Sequence, residues 1–275
     1  MTTVLFILRA VLLWVLAPVA GALLDTGRGY ILSRAGDRRG GFLIPPMETV
    51  RQMLKKSPEK HVEIESYQRI AVFYPVIGAT AAGLAAFGGG VTAVCIALAF
   101  SMLPLAFACI VFPSPFSRIS GYRLLFGFTA VFVYFLLLSA AGIWLGSGKS
   151  PVSGPMIYHM HFFLLLMPCF KLMMEGSKPF GLTDGLGDEF PPRMHHLLRL
   201  GRWYQNAGLL AVCLMLSGGT PVLGASIFLI LYAVSVLLEG TVARIGLKWM
   251  LRWGIPAGFV MLGINLLSIY LFKSR

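Results

Sequence analysis

The residues that could do chemistry in this chain are few, and most lie at the edges of apolar runs. Glu239 closes one such run, where a carboxyl is costly without a partner, and Arg244 further along is its candidate partner. Two roles fit Glu239: an interfacial carboxylate at a helix end, or a proton relay. Asp184, Asp188 and Glu189 lie in a Gly-rich segment and with Glu63 and Glu65 form a candidate proton-collecting entrance. Ordinary solvated loop carboxylates are the alternative. Lys171 and Glu175 stand at i, i+4, a spacing that pairs opposite charges on one helical face. His195 and His196 are adjacent and titrate near neutral pH, so they suit proton relay. His159 and His161 do not share a helical face, and neither His pair has further ligands at metal spacing. No metal site is expected. No phosphate-cradling Gly loop, metalloprotease helix or nucleophile elbow occurs in a suitable context, so no catalytic group is expected in the chain itself.

The elements that must position these groups follow from composition. Mean hydropathy is +0.79, with 57% hydrophobic and 12% charged residues, which describes an all-α, polytopic integral membrane protein. The net charge of +12 sits in segments between apolar runs, without aromatic interleaving on a soluble domain. Anionic lipid and a cytoplasmic bias account for it, and no nucleic acid is expected. Cys95, Cys109, Cys169 and Cys213 all fall within apolar runs without CxxC spacing, and read as small core residues.

Eight transmembrane helices are expected, at about 3–24, 69–88, 91–112, 121–146, 156–174, 203–218, 221–240 and 249–272. The first reads as a retained helix rather than a cleaved signal, with Arg9 snorkelling outward. The tight turn FGGG joins the second and third. No repeat or linker divides the chain, so residues 1–275 read as one transmembrane domain with long cytoplasmic loops at about 25–68 and 175–202. In the first loop, Pro45 and Pro46 precede Met47, Val50 and Leu54 at i, i+3 and i+7, an amphipathic interfacial helix. Such a helix serves as a membrane-surface element or as a docking platform. Nine of the 23 Lys and Arg residues fall between Arg28 and Arg69. Arg118, Lys178, Arg193, Arg199, Arg202, Arg244 and Lys248 lie in the other odd-numbered loops, against Lys149 alone among the even-numbered ones. The asymmetry puts the odd loops in the cytoplasm and both termini outside the cytoplasmic (inner) membrane.

The stretch SRAGDRRGGFLIPPMETVRQMLKK resembles the first cytoplasmic loop of the family that includes the heel subunit of respiratory complex I (its subunit 1) and the membrane anchors of energy-converting membrane-bound hydrogenases and formate hydrogenlyase. Arg34, Arg38, Arg39, Gly40, Pro46, Leu54 and Lys56 fall on that basic, Gly-containing pattern. RIAVFYP, with Pro75, is similar to the start of the family's second helix, and EGTVAR, residues 239–244, to the end of its seventh in the hydrogenase branch. The resemblance implies a subunit that docks soluble hydrogenase-like and iron–sulfur subunits through Arg34, Arg38, Arg39, Gly40 and Arg244. It also implies antiporter-like membrane neighbours, with nickel–iron and iron–sulfur centres in the partners and none in this chain.

The chain departs from that pattern at Gly41, Pro45 and Thr49. KPFGLTDGLGDEFPPRMHHLLRLGRWY keeps Lys178, Pro179 and Asp184, but the family's run of glutamates is not recognisable, and His195 and His196 stand near its place. Two alternatives remain: a quinone-site subunit of a complex I-like NADH dehydrogenase, and a stand-alone transporter or scaffold without redox partners.

Overall fold

A computed structural model describes residues 2–35, 51, 64–146, 164, 166–174, 190, 192–218, 220–241, 252 and 255–273. The described residues are helical, with short turns and no strand. In chain order the helices are α1 (Thr2–Ala35), α2 (Ile64–Ala86), α3 (Val91–Phe100), α4 (Met102–Val111), α5 (Pro115–Gly146), α6 (Met167–Met174), α7 (Pro192–Leu216), α8 (Pro221–Thr241) and α9 (Ile255–Lys273). The chain is an all-α membrane protein. Among the described residues five stretches are long and apolar enough to cross a bilayer: Thr3–Ile31, Ser66–Ala86, Val91–Val111, Pro115–Ala141 and Pro221–Leu238. The third of these is α3 and α4 together, interrupted at Ser101. Of the other expected spans, the fifth is described only from residue 164, and α9 holds a shorter apolar stretch, Pro256–Asn265.

Several helix boundaries differ from expectation, two of them most. Helix α1 continues ten residues beyond Asp25 to Ala35, and α7 begins at Pro192. Asp25, Arg28, Arg34, Arg193, Arg199 and Arg202 therefore lie on helices and not in loops. Arg118 likewise belongs to α5. Proline suits a first helical turn, where its missing N–H is no loss, and this accounts for the start at Pro192. Farther along α7, Arg199 and Arg202 turn toward Asp25 of α1 rather than to solvent. Of the expected amphipathic helix in the first loop only Arg51, helical and exposed, is described.

Helix α7 is the hub of the bundle, packing against α1, α2, α3 and α8. Close approach makes this possible at two glycines. A Cβ at Gly21 of α1 would overlap the backbone carbonyl of Trp203, and one at Gly201 of α7 would overlap the ring of Tyr74 on α2. On the far side α5 packs on α3 and α4, α6 bridges α5 and α8, and α9 lies against α5. Gly88, at φ 78°, takes the left-handed conformation that turns the chain from α2 toward α3.

The helix ends bearing the predicted functional residues are brought together. Tyr67, near the start of α2, meets Phe112 after α4 edge-on at 4.9 Å, and Phe112 meets Phe190 before α7 at 4.7 Å. Leu24 and Asp25 in the last third of α1 touch Tyr232 of α8 and Arg199 of α7. One end of the bundle thus gathers the end of α1, the starts of α2 and α7 and the end of α8. The described flanks of the charged, odd-numbered segments lie at one end, while most of those segments lie outside the described residues.

Candidate functional site

The polar interior of the bundle is organised along α7 in two assemblies on different faces. The first faces α1. Asp25 is partly buried and its Oδ2 accepts two hydrogen bonds, from Arg199 Nε at 2.7 Å and from Trp203 Nε1 at 3.1 Å. Its Oδ1 lies 3.8 Å from Arg28, one turn along α1. Arg202 adds its field to the same carboxylate. Arg199 and Trp203 are four residues apart, so both project from one face of α7, and the guanidinium carbon sits 5.8 Å from the Trp203 ring centroid. A carboxylate with this many charge-assisted donors is a strong, directional fastening between two helices.

The second assembly is neutral and faces α2 and α3. Tyr74 donates its hydroxyl to Gln205 Oε1 at 2.8 Å, and Gln205 Nε2 donates to Ser101 Oγ at 2.8 Å. Ser101 in turn donates to the carbonyl of Leu98 at 2.6 Å. All three side chains are buried. The chain ends at the interruption between α3 and α4, where a polar side chain within a membrane span needs internal partners.

A third feature connects α6, α8 and α1. Lys171 of α6 is buried and places its Nζ 4.5 Å from the centroid of the Tyr232 ring. The Tyr232 hydroxyl donates to the carbonyl of Leu24 at 3.0 Å. The expected partner of Lys171, Glu175, lies outside the described residues.

Of the predicted site residues, His195 and His196 open α7 with ring centroids 5.9 Å apart and nearly perpendicular, His196 buried. Glu65 starts α2, Arg34 is near the end of α1, and Glu239 is near the end of α8, all at the same end of the bundle; their backbone positions alone are described. Asp184, Asp188, Glu189, Glu63, Arg38, Arg39, Gly40 and Arg244 lie outside the described residues. Among the described residues no group of three or more His, Cys, Asp or Glu is placed to hold a metal ion. Sequence reasoning missed Asp25, Trp203, Tyr74, Gln205 and Ser101. The available signals were the i, i+3 pair Asp25–Arg28 and the i, i+4 pair Arg199–Trp203.

These features define an all-helical membrane protein whose central helix carries an ionic cluster toward one end and a neutral hydrogen-bonded chain deeper in. No protein-family model and no curated protein matches the sequence. Among solved structures the chain is similar to one from the membrane-bound sulfane sulfur reductase, an archaeal respiratory membrane complex. The TM-score is 0.68, with 19% sequence identity, over 94% of this chain and 99% of that one. At that identity the likeness is one of fold.

Proposed function

We propose that this chain is a membrane subunit of a redox-driven respiratory complex. Its fold likeness to a chain of such a complex, over nearly the whole length of both, is the observation that carries this reading. In its finer form, the chain resembles the heel anchor of an energy-converting nickel–iron hydrogenase. The end of the bundle bearing Arg34, Glu65, His195 and Glu239 faces the cytoplasm and docks a soluble electron-transfer module, with Arg38, Arg39, Gly40 and Arg244 contributing from the adjoining segments. The metal centres belong to the partners. Proton or sodium movement is linked to electron transfer through this chain and antiporter-like neighbours, with Glu239 as coupling carboxylate and Asp184, Asp188, Glu189, Glu63, Glu65, His195 and His196 as the entrance.

Gentle solubilisation from the native membrane, capture by a C-terminal tag and assay of hydrogen-dependent dye reduction test this reading. Metal-centre subunits arriving with hydrogenase activity support it; the same subunits without that activity point to another redox chemistry. Arrival of the chain alone overturns it. Within the assembled complex, Glu239→Gln is expected to leave assembly intact and to reduce ion translocation, and undiminished translocation removes Glu239 from that role.

A further inference from the structure

Helix α1 is held in an unusual way. Only 12% of its most apolar stretch is buried inside the bundle, against 33% to 61% for the other four apolar spans among the described residues. A helix with so little apolar burial against its neighbours is positioned mainly by specific contacts, and in α1 these concentrate between Gly21 and Asp25. Gly21 lets the backbone close on Trp203. Leu24 offers its carbonyl to Tyr232, and Asp25 is gripped by Arg199 and Trp203. Outside this stretch, Trp14 Nε1 donates to the carbonyl of Ala79 at 2.8 Å.

The same stretch reaches the buried cation. The Tyr232 ring lies under Lys171 Nζ, and its hydroxyl is anchored on the residue next to Asp25. An ionisable side chain inside a membrane bundle is a functional candidate by default. In a low-dielectric interior small displacements of a charge or of its ring partner change its energy steeply.

We propose that Asp25 is a positioning residue for ion coupling: by fastening α1 to Arg199 and Trp203 of α7, it holds the Leu24 carbonyl on Tyr232 and so fixes the surroundings of the buried Lys171. The inference rests on the reading of this chain as a coupling subunit. It joins four helices, α1, α7, α8 and α6, through named contacts, and it places the link between the docking end and the membrane interior on groups distinct from Glu239. Arg28 and Arg202 keep the carboxylate in a cationic setting.

The test compares Asp25→Asn, Asp25→Glu and Tyr232→Phe in the intact complex reconstituted in sealed vesicles, reading electrons transferred and ions moved in the same preparation. Asp25→Asn is expected to lower ions moved per electron by about fivefold or more, the lower end of ordinary coupling strengths, with assembly and electron transfer retained. Asp25→Glu keeps the charge and is expected to retain part of the ratio. Tyr232→Phe keeps the ring over Lys171 but loses one hydrogen bond, and should lower the ratio by about two- to fivefold. A purely structural role would reduce electron transfer and ion movement together and leave their ratio unchanged in all three variants, which overturns the proposal.

Should wild type move no ions or lack redox partners, the broader reading fails. The fastening itself is then judged on the purified full chain in detergent. Asp25→Asn, Arg199→Gln and the double variant should be non-additive in thermal stability, whereas additive effects refute the clasp.

Discussion

The two polar assemblies on α7 solve the same problem with different chemistry. Asp25, Arg199 and Arg28 are ionic, and their side chains keep 11% to 16% of their surface exposed. Tyr74, Gln205 and Ser101 are neutral, and each is at most 2% exposed. The ions sit nearer the end of the bundle at which α7 begins, and the amide and hydroxyls sit deeper, six residues further along α7. At about 1.5 Å per residue that is roughly 9 Å of axial distance. Removing a charge from water costs several kcal/mol that only excellent geometry offsets, while neutral groups need only their hydrogen bonds completed. The position of each assembly along α7 therefore follows the cost of burying it.

Arg199→Ala breaks the comparison at its ionic end and should have the largest effect. It removes the shortest contact to Asp25 and leaves a mostly buried carboxylate with weaker partners. Loss of one member of such a pair costs on the order of 3–5 kcal/mol, toward the lower figure here because some exposure remains and Arg28, Arg202 and Trp203 persist. Thermal unfolding in detergent measures it, and a change below about 1 kcal/mol, the range of exposed pairs, would place Asp25 effectively in solvent.

Gly21→Ala tests the α1 side by packing alone. The added methyl meets the backbone of Trp203, which has no rotamer to yield, so α1 must shift away from α7. Overpacking of this kind costs about 1–3 kcal/mol. Because the same shift stretches the Asp25–Arg199 contact, combining it with Arg199→Ala should cost less than the two effects added. Full additivity would mean that packing and the ion pair position α1 independently.

Much of the fold was legible because membrane spans are long apolar runs. The five strong spans, the turn at Gly88 and the gathering at one end of the helix ends that flank the charged segments all followed from hydropathy, glycine and charge asymmetry. What escaped was helix that continues through polar sequence. Asp25, Arg28, Arg199 and Arg202 read as loop because a charged residue beside an apolar run normally marks water. Here it marks a partner on another helix: Asp25 and Arg199 are 174 residues apart in the chain, and one sequence holds no sign of their pairing. Pro192 is a usable helix-start signal, though polar residues follow it before the next apolar run. Ser101, Tyr74 and Gln205 are neutral, lie singly in separate segments and form no pattern, so their chain is visible only once the helices are packed.

The smallest and most discriminating effect is expected at the neutral end. Gln205→Leu keeps the volume of the side chain but takes the acceptor from Tyr74 and the amide donor from Ser101. Ser101 still donates to Leu98, so the principal loss is one buried hydroxyl without its acceptor, worth about 1–2 kcal/mol. Tyr74→Phe in the same chain removes that orphan, and the double variant should recover most of the stability lost by Gln205→Leu alone. Removing both partners at the ionic end offers no equivalent: Asp25→Asn with Arg199→Gln still leaves Arg28 and Arg202 beside a site that has lost its carboxylate charge. If the neutral pair proves as unforgiving as the ionic one, Gln205 holds the α3–α4 interruption in place by more than its two hydrogen bonds.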